Sequence, residues 1–70
     1  MNRTAWVHAA DGHWWTEDAF TAFREYAHQH PAQAPAIIDT LAINPNPNIK
    51  GNGWRVRRNE HGNTTKFISA

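Results

Sequence analysis

The stretch Gly53-Trp54-Arg55-Val56-Arg57-Arg58-Asn59-Glu60-His61-Gly62-Asn63-Thr64-Thr65-Lys66-Phe67-Ile68-Ser69 decides how this chain is read. Two runs rich in aromatic and β-branched residues, 54–58 and 64–69, flank a connection of Asn, Glu, His and Gly. That is the composition of a β-hairpin with a glycine available for positive φ. Side chains alternate along a strand, so Trp54 and Val56 fall on one face and Arg55 and Arg57 on the other. On the return strand Thr65 and Phe67 are expected on the apolar face, and Thr64 and Lys66 beside the arginines. The hairpin has a greasy side for a core and a cationic side for solvent or a ligand.

Working back from the hairpin, the segment Asn44-Pro45-Asn46-Pro47-Asn48-Ile49-Lys50-Gly51-Asn52-Gly53 reads as turn and loop, with Ile49 as its hydrophobic anchor. Before it, Pro35 suits the first position of a short helix whose buried side is Ile37, Ile38, Leu41 and Ala42. Asn44 before Pro45 ends that helix near Ile43. The clearest helix spans 16–30. Thr16 is its N-cap and Glu17 and Asp18 favour its positive end. Ala19, Phe20, Phe23, Tyr26, Ala27 and His30 recur at helical spacing, and Pro31 stops it. Thr4 to His8 reads as a short strand, followed by an Asp11-Gly12 turn.

Seventy residues make one domain, 1–70, with no internal repeat. A chain of this size buries only about 60% of its unfolded surface. Cysteine is absent, which removes disulfides and thiolate zinc sites. Four Trp, three Phe and one Tyr are then the main source of core. Each such ring buries on the order of 150–250 Å². No apolar run approaches the roughly 20 residues of a membrane span. The segment Met1-Asn2-Arg3-Thr4-Ala5-Trp6 has no apolar signal-peptide core, so a cytoplasmic location and no membrane partner are expected.

The formal net charge of +1 hides a segregation. Residues 1–48 carry Arg3 and Arg24 against Asp11, Glu17, Asp18, Glu25 and Asp39, a net of −3. Residues 49–70 carry Lys50, Arg55, Arg57, Arg58 and Lys66 against Glu60, a net of +4. A basic half built on a hairpin points to a polyanion; the competing reading is a solvated strand face whose cations block aggregation.

The elements from Thr16-Glu17-Asp18-Ala19-Phe20 through Gly53-Trp54-Arg55-Val56-Arg57-Arg58 to His61-Gly62-Asn63-Thr64-Thr65-Lys66-Phe67 resemble the small winged-helix DNA-binding modules of phages and mobile elements. That resemblance implies an α+β winged-helix-like domain: a short N-terminal strand, two to three helices and a C-terminal β-hairpin wing. A third helix would be a turn at Ala32–Ala34 or a piece of Ala9–Trp14. It implies double-stranded DNA as the partner, with Arg55, Arg57, Arg58 and Lys66 on the wing and Lys50 beside it. The second helix, with Ala36, Asp39, Thr40 and Asn44, offers little for reading bases, so backbone contact dominates. Four phosphate contacts on duplex give a log K against log salt slope of roughly −3.6. Tight binding then calls for a homodimer or a fused partner.

The alternative is a small protein-interaction module or inhibitor docking through Trp14, Trp15 and the Asn/Pro loop. The cluster of Trp6, Trp14 and Trp15 reads either as core that caps the open end of helix 16–30 or as interface, because adjacent Trp14 and Trp15 cannot both face inward on a strand. The inner member suits the core, as a staple residue before Thr16; the outer one suits an interface or a base-stacking platform. A third reading is a subunit stable only within an assembly. The five histidines show no convergent metal-ligand spacing. With no Gly-x-Ser-x-Gly or phosphate-cradling loop either, no enzyme, metal or cofactor is expected.

Overall fold

A computed structural model describes residues 6–8 and 11–69. The elements in chain order are β1 (Trp6–His8), β2 (Trp14–Thr16), α1 (Glu17–Gln29), α2 (Ala34–Ile43), β3 (Asn48–Lys50), β4 (Trp54–Arg58) and β5 (Thr64–Ser69). The strands form one five-stranded sheet in the order β1-β2-β5-β4-β3. All pairs are antiparallel except β2 with β5, which runs parallel through Trp15 and Thr64. The fold is α+β, with α1 packed on one side of the sheet along β5.

The start of α1 follows from three residues. Thr16 is the N-cap, and its hydroxyl accepts from the Ala19 N–H at 3.0 Å. Trp15 immediately precedes the cap and meets Phe20 edge-on, with ring centroids 5.8 Å apart. This is the hydrophobic staple that sets the angle at which chain enters helix. Glu17 and Asp18 sit in the first turn, where the helix dipole favours negative charge.

The core is largely aromatic. Phe67 on β5 is its hub: Phe23 lies 5.6 Å away edge-on, Tyr26 5.7 Å away, and Trp54 stacks at 6.1 Å with ring planes 7° apart. Trp15 closes the ring against Phe23 at 5.1 Å. Pairs of this geometry add about 0.5–1.5 kcal/mol beyond the area they bury. Ile37 and Leu41 of α2, with Ile49 and Val56, complete the buried cluster. Gly51 permits the arrangement, because a Cβ there would lie 2.2 Å from the Trp54 indole.

The sheet is larger than the sequence reading foresaw. Trp14–Thr16 and Asn48–Lys50 both form strands. The second lies within the 44–53 run, whose Pro, Asn and Gly content reads as loop. In β3 a single inward Ile49, opposite Val56, suffices to anchor the strand. The basic hairpin is accordingly not a free two-stranded wing: β3 and β2 flank it on both sides.

Among the described residues there are two helices, at 17–29 and 34–43. Residues 31–33 form a turn, and residues 11–13 a turn and bend leading into β2. The expectations at Thr4, Ala5, Ala9 and Ala10 lie outside the described residues. The hairpin register also slips between Arg57 and Arg58: Arg57 faces Lys66 while Arg58 faces Thr64. Thr65 is the extra residue of this bulge. Thr64 therefore turns inward and is fully buried, not outward beside the arginines.

Candidate nucleic-acid interface

The side of the sheet away from α1 collects the cations. Cross-strand partners share a face, and the register pairs Lys50 with Arg55, Arg55 with Ile68, and Arg57 with both Lys66 and Asn48. Lys50, Arg55, Arg57, Lys66 and Ile68 are all exposed. Together with Asn48 they line a shallow hollow of about 380 Å³ on the outer face. Neighbouring strands lie about 4.8 Å apart and residues i and i+2 about 6.6 Å apart, so the four charges are close neighbours.

Among the described residues none of these four cations has a carboxylate within 4.0 Å; the close approach found there sets the His61 Nε2 3.6 Å from a Glu60 carboxylate oxygen. Arg57 donates from Nε to the Asn48 Oδ1 at 3.3 Å, which steadies the guanidinium without neutralising it. Four uncompensated cations on one surface repel each other, and a polyanion relieves that repulsion.

Arg58 departs from the expectation that it joins this set. It is 5% exposed and points to the opposite side of the sheet, with Trp54 and Val56. Its guanidinium caps the C-terminal end of α2. Nη1 donates to the Leu41 carbonyl at 2.8 Å and Nη2 to the carbonyls of Asn44 and Asn46. Nε donates to the Asn46 carbonyl at 3.2 Å. A helix end leaves carbonyls without partners, and a cation suits the negative end of the dipole. Burial pulls the Arg58 pKa down from its ordinary value, and the Asp11 charge works against that pull. Arg58 is a structural residue.

Trp15 is corrected in the same way. It is fully buried, and its indole Nε1–H donates to the Asp11 Oδ1 at 3.2 Å. It cannot serve as a docking residue. Trp14 is 48% exposed and Trp6 41%. Trp6 lies opposite Thr16 and Trp14 opposite His8, so the two indoles stand diagonally on the same outer face as the cations. With Asn59, His61 and Asn63 from the β4–β5 turn they line an open groove of about 490 Å³.

No family model, curated protein or solved structure matches the chain. The chemistry of the surface must therefore be argued from its own residues. Among the described residues no three His, Asp or Glu side chains gather to hold a metal, and no helix is long and apolar enough to cross a membrane. The sequence groups the cations by proximity in the chain and Trp6 with Trp14 and Trp15, but gives no sign that Trp6, Trp14 and the turn residues border the cationic face. For Trp6 it shows only the alternation of Trp6 and Val7, which makes one of them inward and the other outward.

Proposed function

We propose that this is a non-catalytic nucleic-acid-binding protein that holds the phosphate backbone against the outer face of its sheet. The observation that carries the reading is the gathering of Lys50, Arg55, Arg57 and Lys66 on one side of the sheet, with no carboxylate within 4.0 Å of them among the described residues. α1, which carries Glu17, Asp18 and Glu25, lies against the other side. The arrangement keeps the backbone contact expected of a basic wing but spreads it over three adjacent strands. Such contacts position a ligand without selecting sequence, which fits an accessory role.

The test is the double substitution Arg55→Glu with Arg57→Glu, read by fluorescence anisotropy of a short labelled oligonucleotide, duplex and single-stranded, at low salt. Both side chains are exposed, so the far-UV circular dichroism is expected to stay unchanged while affinity falls by roughly tenfold or more. Unchanged affinity removes the reading.

A second reading rests on the exposed indoles of Trp6 and Trp14, which are good anchors for a protein partner. The Asn/Pro segment is exposed from Pro45 to Asn48, with the Asn44 and Asn46 carbonyls held inward by Arg58. This reading gains only if neither oligonucleotide binds.

A further inference from the structure

The groove between Trp6 and Trp14 goes unused by a reading based on phosphates alone. We infer that it receives an unpaired nucleobase, so that the ligand of this face is a single-stranded nucleic acid. The inference rests on the cationic face being a nucleic-acid surface and names which kind.

The indole faces come first. Trp6 and Trp14 project from the outer face of neighbouring strands at diagonal register positions, close enough to act as adjoining walls. An aromatic plane beside a basic track is the arrangement that single strands exploit, because every base has a π-face to stack. A base inside a duplex has both faces covered by its neighbours and its pairing edge occupied.

The turn residues come second. The Asn59 Oδ1 accepts from the N–H of His61 at 2.9 Å and of Asn63 at 3.0 Å. The Asn63 Oδ1 accepts from the Trp14 N–H at 3.0 Å. Backbone N–H groups can only donate, so these bonds fix which end of each carboxamide is oxygen. Both Nδ2 groups are left as donors on residues that line the groove. Ring carbonyls and ring nitrogens of a base are acceptors that such donors suit. The same bonds tie the amides to the backbone, so a ligand meets them already ordered.

Continuity comes third. Lys50 and Arg55 pair across β3 and β4, and Arg57 and Lys66 pair next along β4 and β5 in the direction of the turn. Beyond Lys66 the turn residue Asn63 touches Trp14. A strand laid over the cations arrives at the indoles. Glu60 also belongs to this turn, with a carboxylate oxygen 3.6 Å from the His61 Nε2; it is the carboxylate a phosphate there must avoid, and a neutral base does not meet that repulsion.

The experiment compares three labelled probes of equal length in anisotropy titrations: an oligothymidylate, an abasic strand with the same phosphates and no bases, and a duplex. The oligothymidylate is expected to bind roughly tenfold or more tighter than the abasic strand. Trp14→Ala should bring the oligothymidylate down to the abasic level, and Trp14→Phe should keep most of the affinity. Equal binding of the oligothymidylate and abasic strands overturns the base site whatever the variants do, and leaves the cationic face standing. A duplex preference that Trp14→Ala does not alter overturns it too. No binding of any probe removes both readings together and turns attention to a protein at the indoles.

Discussion

Arg57 and Arg58 are consecutive in the chain and point to opposite sides of the sheet. Arg57 is exposed on the cationic face, whereas Arg58 is buried and donates to the Leu41, Asn44 and Asn46 carbonyls. Identical side chains thus do unlike work, and substituting each in turn should separate binding from stability.

Arg58→Ala strips several charge-assisted donors from buried carbonyls at the end of α2. Leaving such groups unpaired costs about 2–4 kcal/mol. In a domain of this size each kcal/mol lowers the melting temperature by about 4–8 °C. Urea and thermal unfolding of Arg58→Ala should show that loss. Arg57→Ala should unfold like the unaltered protein and bind oligonucleotides more weakly.

The salt dependence of binding should count the cations. Four contacts from Lys50, Arg55, Arg57 and Lys66 correspond to a slope of log K against log salt of about −2.8 on a single strand. Lys66→Ala should make the slope shallower by about 0.7. Titrations between low and moderate salt measure it directly, and a flat dependence would contradict the cationic face.

Gly51→Ala tests the packing of Trp54. A Cβ at position 51 falls 2.2–2.4 Å from three atoms of the indole, and that indole is buried in stacking contact with Phe67. Overpacking of this sort costs about 1–3 kcal/mol. Chemical denaturation should report it, together with a shift in tryptophan emission as Trp54 is displaced.

Thr16→Ala removes the N-cap acceptor of α1 and the hydroxyl that donates to the Thr65 carbonyl. A loss of about 1 kcal/mol is expected from the cap. Thr16→Ser keeps the oxygen and should restore most of the stability, which distinguishes the cap from a simple loss of volume.

Much of this architecture was legible because it is local. Helix α1 shows its cap, its staple and its apolar stripe within consecutive residues, and the hairpin shows its alternation. The same alternation also placed Arg58 with Trp54 and Val56; grouping it with the other arginines by charge set the stronger geometric rule aside. The strand β3 was hidden because Asn48-Ile49-Lys50 offers one apolar residue inside a Pro- and Asn-rich run, and it is a strand only because β4 is there to pair with it. The bulge at Thr65 and the parallel seam between Trp15 and Thr64 were out of reach for a like reason. Both are set by partners distant in the chain, and neither leaves a periodic trace. The groove followed from them: without β2 beside β5, Trp14 has no relation to Asn63.

That seam bears on how the protein comes into being. β5 is central in the sheet, bonded to β4 on one side and β2 on the other, and Phe67 is the ring on which the core converges. While the polypeptide is being synthesised, everything ahead of Thr64 lacks the strand that joins its pieces. α1 then emerges before the Phe67 ring on which Phe23 and Tyr26 pack, so those two rings stay without that partner until β5 has been made.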